Sequence, residues 1–179
     1  MQKDSIKNIL LVGIGLCVVC GAVISIVAVS LKDQQEQNVI FDQQSKIIDA
    51  ARLLEVYPSS QDALASIEEV VVNLDEGQAS DFPADQYDLD TILRDSSQHT
   101  VLDGSDDIAM ISVRENLSKV YIEYRNNELK TLILPVRGYG LWGTLYGYLA
   151  LDSDLNTIVG LEFYKHKETP GLGAEVDNP

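Results

Sequence analysis

Residues 168–173 read Glu-Thr-Pro-Gly-Leu-Gly, and no other stretch has types and spacing so well suited to chemistry. Pro170 pre-sets the second position of a type II turn, and Gly171 supplies the positive φ that the third position requires. Gly171 and Gly173 leave the backbone bare on both sides of Leu172, so a flat ring can approach with the leucine against its face. On local chemistry alone, an ordinary glycine-rich turn after a strand is the simpler reading. The other motifs are weaker. Gly138, Gly140 and Gly143 match G-x-G-x-x-G, but a dinucleotide site needs a helix opening directly behind it, and Thr144-Leu145-Tyr146-Gly147-Tyr148 is strand-like. Asp152, Asp154 and Asn156 start like a calcium loop. Thr157 then replaces the glycine at position six and Phe163 the acid at position twelve, which leaves a hairpin turn. His99 and His166 are too few and too far apart for zinc. No G-x-S-x-G, P-loop or H-E-x-x-H occurs, so neither a catalytic residue nor a metal site is expected.

Residues 9–31 are uncharged, and Ser25 and Ser30 are their only polar side chains. Those 23 residues make a helix of about 34 Å, enough to cross a hydrocarbon core of roughly 30 Å. A cleaved signal sequence is the rival reading, but its apolar region usually spans only about 7–15 residues. Lys3 and Lys7 before the segment favour an N-terminus inside the cell and the main domain outside, in the periplasm of a Gram-negative cell. Cys17 and Cys20 have C-x-x-C spacing but lie inside this span, where they act as small apolar fillers. Lipid is therefore one expected partner. Nucleic acid is excluded as another, because a chain of net charge −15 would repel phosphates.

Beyond the anchor, Ile40, Ile47, Ile48, Ala51 and Leu54 recur at helical spacing up to Pro58. Ser59, with Asp62 three residues on, caps a predicted second helix with an apolar face from Ala63 to Leu74, ending at Gly77. Residues 75–107 hold ten acids against one base, Arg94, and are expected to be a mobile, solvated insertion with a short helix at best. After Ile108 the period becomes that of strands. Residues 119–125 and 129–136 flank Asn126-Asn127-Glu128, and residues 145–151 and 157–164 flank a second turn. The expected fold class is α+β, with an antiparallel sheet meeting the helices.

With Leu134-Pro135-Val136 and Gly140-Leu141-Trp142 upstream, the 168–173 stretch resembles the FMN-binding domain found in the C subunit of the sodium-translocating NADH:quinone oxidoreductase. The likeness also takes in Asp4-Ser5-Ile6-Lys7, the single anchor and Asp42-Gln43-Gln44-Ser45-Lys46-Ile47, and it is most specific from Leu134 to Pro179. It implies residues 1–8 as a cytoplasmic leader, 9–31 as the transmembrane helix, 32–75 as a helical region, 76–107 as the acidic insertion and 108–179 as the FMN-binding sheet domain. Trp142 and Leu172 are then expected against the isoalloxazine, with Glu168, Thr169, Gly171 and Gly173 shaping the loop around it. The alternative for Trp142 is a buried core aromatic.

The resemblance further implies FMN held by a phosphoester to the threonine of a Ser-x-Ala-Thr motif downstream. That motif is absent from these 179 residues, Thr169 is not its equivalent, and the expectation is a C-terminally truncated chain. The implied function is that of an electron-relay subunit in a six-subunit inner-membrane complex that oxidises NADH, reduces ubiquinone and exports sodium. Two alternatives stand beside it: a cofactor-free anchored scaffold or assembly subunit, and the paralogous G subunit of the Rnf electron-transport complex, which shares the 168–173 element.

Overall fold

In the computed structural model, which describes residues 6–177, helix α1 (Ile6–Ala50) continues well past Leu31, where the apolar run stops. Lys3, Asp4 and Ser5, which entered the orientation and resemblance arguments, lie outside the described residues, as does Pro179. The chain divides into two compact units, Met1–Phe41 and Asp42–Pro179.

In the first unit, the apolar side chains from Ile9 to Val29 are all exposed, and the helix is long and apolar enough to cross a membrane. Ser30 returns its hydroxyl to the Val27 carbonyl at 2.8 Å, which satisfies a polar group that lipid could not. Lys32 and Glu36 then pair one turn apart, where the polar surface of the helix begins.

The second unit is built on a six-stranded antiparallel sheet. Its strands are β1 (Ile67–Asn73), β2 (Gln78–Ala79), β5 (Leu117–Arg125), β6 (Glu128–Tyr139), β7 (Thr144–Asp152) and β8 (Ile158–Lys165), in the order β2-β1-β5-β6-β7-β8. A small ribbon joins β3 (His99–Val101) to β4 (Val113–Glu115). Both expected hairpins form. Asn126 and Asn127 carry φ of 55° and 63°, the two positive values of a type I′ turn, whose twist suits flanking strands.

Across the middle of the sheet, Tyr121, Ile133, Ala150 and Gly160 stand in one cross-strand row. The end of α1 packs over it with Ile47, Ile48 and Ala50, joined by Ala51, Leu53 and Ala63. The row tapers from tyrosine to glycine because the Ala50 carbonyl comes so close that a Cβ on Gly160 would sit 2.4 Å from its oxygen.

Two sequence expectations are corrected here. Helix α1 stops at Ala50, Arg52 turns left-handed with φ 51°, and a short 3-10 turn (Leu53–Glu55) follows. That break shifts the helical phase, so Leu53 is buried and Leu54 is exposed. The second helix begins where expected, as α2 (Ser60–Ala65), with the Ser59 hydroxyl accepting the Asp62 N–H at 3.2 Å. It does not run to Leu74. Val70-Val71-Val72 is a β-branched run that fits a pleated surface, and residues 67–73 pair throughout with β5 as strand β1. Gly77, with φ 67°, turns the chain from β1 into β2 rather than closing a helix.

The acidic stretch also carries more structure than one short helix. Besides α3 (Leu89–Arg94), capped by Asp88 and burying Ile92, it supplies β2 and β3. Tyr87 fastens it to the sheet by donating to the Leu117 carbonyl at 3.2 Å.

Candidate functional site

The four-residue link between β6 and β7, residues 140–143, is drawn tight by the Gly140 N–H donating to the Gly143 carbonyl at 2.7 Å. This is where the G-x-G-x-x-G pattern falls, and strand β7 follows it instead of a helix, so no phosphate-binding helix end is built there. A second loop leaves β8 and contains residues 168–173. Gly171 adopts φ 75°, as the proline-glycine turn requires, and the Thr169 carbonyl accepts the N–H groups of both Leu172 and Ala174 at 3.1 Å.

Glu168 joins the two loops. Its Oε1 accepts the Leu141 N–H at 2.9 Å and the Trp142 N–H at 3.1 Å, and the residue is 7 % exposed. The Glu168 N–H in turn donates to Nδ1 of His166 at 3.1 Å. Both loops carry exposed apolar side chains: Trp142 is 64 % exposed and Leu172 is 74 % exposed, and Leu141, which precedes Trp142, is exposed as well. Trp142 is thus not a core aromatic, and the structure carries it and Leu172 on loops joined by a buried carboxylate.

The arrangement suits the flat apolar part of a flavin better than its phosphate. Trp142, Leu141 and Leu172 offer exposed hydrophobic faces, and a Cβ on Gly171 would meet nothing within 4 Å, so the backbone there is open to close approach. The Leu141 and Trp142 amides, which would otherwise suit an anion, are already taken by Glu168.

Two further polar features escaped sequence reasoning. Glu123 is fully buried and accepts from Tyr57 Oη at 2.9 Å, Thr131 Oγ1 at 2.9 Å and Arg125 Nε at 2.7 Å. A separate cavity of about 180 Å³ is lined by Tyr87, Tyr121, Tyr146, Tyr148, Tyr164 and Glu115, among others. The rings of Tyr148 and Tyr164 stack at 4.7 Å, and Tyr121 meets Tyr148 edge-on at 5.6 Å. Burial, and then the Glu115 carboxylate, push the Tyr87 phenol up to about 12. Burial likewise holds Tyr121, Tyr148 and Tyr164 above the usual tyrosine range. The period-two spacing of Tyr146 and Tyr148 was the available signal, since it puts both on one face of β7.

Comparison with known proteins bears on the same segment. The profile of the FMN-binding domain family matches residues 140–178, which contain both loops. Over 99 % of its length the chain is 43 % identical to the C subunit of the Na(+)-translocating NADH-quinone reductase of Pseudomonas aeruginosa and 39 % identical to that of Vibrio vulnificus, spanning 70 % of each relative. Among solved structures, Shewanella oneidensis NqrC superposes with a TM-score of 0.67 at 31 % identity, over 76 % of this chain and 64 % of that one. The corresponding C subunit from Parabacteroides distasonis gives 0.57 at 28 %, over 83 % and 65 %.

Proposed function

The chain belongs to the family formed by the C subunits of the Na(+)-translocating NADH-quinone reductases, and from that premise we propose that it is a membrane-anchored flavoprotein subunit relaying electrons within such a complex. The observation that carries the reading is the exposure of Trp142 and Leu172 on two loops fastened by Glu168, inside the segment that matches the FMN-binding domain. FMN, when bound, supplies transfer of one electron at a time, while the protein supplies position and electrostatics. In this chain Trp142 and Leu172 would hold the ring, the Gly171 turn would let it approach the backbone, and Glu168, Thr169 and Gly173 would fix the shape of the loops.

By the same resemblance the phosphate would be held by a phosphoester to the threonine of a Ser-x-Ala-Thr motif, which does not occur in residues 1–179. The wider assignment follows the family. The protein works among five other subunits in a bacterial inner membrane, and the assembly oxidises NADH, reduces ubiquinone and exports sodium. Residues 9–31 form the single span, residues 1–8 lie in the cytoplasm and residues 32–179 in the periplasm. Protease added to spheroplasts should digest the main domain, and resistance would reverse the orientation.

The decisive test of the flavin is in-gel fluorescence after denaturing electrophoresis. Protein purified from its native membranes should give a fluorescent band, and the 179-residue polypeptide expressed with a flavin transferase should stay dark. A dark native band would sink the flavoprotein reading. A fluorescent 179-residue band would place the attachment on one of these residues.

A further inference from the structure

We propose that Glu168 is a positioning residue that makes no contact with the cofactor: its carboxylate clasps the β6–β7 loop to the loop after β8 and so fixes the placement of Trp142 relative to Leu172. The functional meaning of the clasp rests on the flavin reading above, whereas the clasp itself rests on geometry.

Consecutive N–H groups of Leu141 and Trp142 converge on one carboxylate oxygen, 2.9 and 3.1 Å away. Hydrogen bonds to an ionised acceptor are roughly twice as strong as neutral ones, and burial strengthens them further. The gap that receives the carboxylate is made by two missing side chains. A Cβ on Gly140 would stand 2.5 Å from Oε1, and one on Gly173 would stand 2.6 Å from Oε2. Each glycine therefore leaves room for the glutamate in its present position, one from each loop, and neither position needs a positive φ. The carboxylate is turned into the protein while Trp142 and Leu172 face out, so its charge is spent on the two amides. Each loop also has its own internal tie, Gly140 to Gly143 in one and Leu172 and Ala174 to the Thr169 carbonyl in the other. Losing Glu168 should leave both turns formed and free their relative placement.

The test uses the full chain in detergent, expressed without a flavin transferase so that no FMN is attached covalently, with Glu168→Ala, Glu168→Asp, Glu168→Gln and Gly173→Ala. Trp142 is the only tryptophan, so its fluorescence anisotropy reports on the β6–β7 loop alone. In Glu168→Ala, the Leu141 and Trp142 amides should exchange at least about tenfold faster while those paired between β5, β6 and β7 keep their protection. Anisotropy should fall with them. Gly173→Ala, whose methyl displaces the carboxylate, should behave alike, and so should Glu168→Asp, which is one methylene short. Glu168→Gln keeps an acceptor oxygen and should recover most of the protection.

Quenching of Trp142 by added FMN reads the functional half. It should weaken about tenfold in Glu168→Ala and largely return in Glu168→Gln, because position rather than charge is at stake. Unchanged exchange of the two amides in a folded Glu168→Ala chain overturns the clasp. Quenching lost in Glu168→Gln while its amides stay protected overturns the positioning role in favour of a charge role. Absence of quenching in the unmodified chain, with exchange as expected, identifies the flavin reading as the failed premise and removes the functional half.

Discussion

Replacing Arg125 with alanine should destabilise the sheet domain more than removing Arg125 and Glu123 together. Glu123 has no solvent exposure, and its carboxylate is held by Tyr57, Thr131 and the Arg125 guanidinium, which approaches at 2.7 and 3.3 Å. Taking away one partner of a buried pair usually costs about 3–5 kcal/mol, because the remaining charge is stranded. Arg125 is itself 40 % exposed, so part of its attraction is already screened by water and the lower end of that range applies. The expected cost is about 3 kcal/mol, roughly a hundredfold in the folding equilibrium. Glu123→Leu combined with Arg125→Ala removes the stranded charge. It leaves the Tyr57 and Thr131 hydroxyls without their acceptor, at about 1–2 kcal/mol in all once Tyr57 turns toward solvent. Urea unfolding of the sheet, followed by far-ultraviolet circular dichroism, measures both variants. A cost below about 1 kcal/mol for Arg125→Ala, or a double variant as unstable as the single, would refute the account.

Two further outcomes follow from close approach and from burial. Gly160→Ala should destabilise the domain by about 2–3 kcal/mol, since its methyl meets the Ala50 backbone carbonyl, which no side-chain rotation can clear; an unchanged unfolding midpoint would contradict that packing. Stability should also fall as pH rises from about 10 toward 12, because the unfolded chain ionises Tyr87 near its ordinary value of 10.0 while the folded chain holds the proton to about 12. The folded state binds more protons in that window, so the stabilisation is complete below it and lost above it. Tyr121, Tyr148 and Tyr164 shift the same way, and phenolate absorbance should lag in the folded protein.

What the sequence made legible was whatever is decided over a few residues. The Asn126-Asn127 hairpin could be read because both residues tolerate the positive φ that the turn imposes, and the Ser59 cap because its partner is three residues away. Strand β1 could not. Ile67, Val70, Val71 and Leu74 satisfy a helical face as well as a strand, and the choice was made by β5, which pairs Val71 with Lys119, far along the chain. The exchange of Leu53 for Leu54 in the core likewise hangs on Arg52 adopting a left-handed turn, which no local pattern announces. In the acidic stretch, charge density hid the few residues that tie it down, Tyr87 and Ile92, because a composition average weighs them no more than their neighbours.

At the candidate site the same division falls inside a single motif. The turn at Pro170 and Gly171 is local, and its φ of 75° follows from the two residue types. Gly173 and Gly140 do not need a positive φ. At each, a carboxylate oxygen of Glu168 (28 positions after Gly140) stands where a Cβ would be, and at Gly140 the Gly143 carbonyl is close as well, at 3.1 Å. The register of β6, β7 and β8 is what brings them together: Tyr139 pairs with Thr144 and Tyr146 with Lys165, so the link at 140–143 and the chain leaving β8 emerge at one end of the sheet. A glutamate there, with the Leu141 and Trp142 amides opposite, becomes a clasp, and the side chains of those two residues stay exposed. Glycines that look like ring clearance in the sequence are in part clearance for the protein's own side chain, and the exposed tryptophan sits on the loop which that side chain fastens.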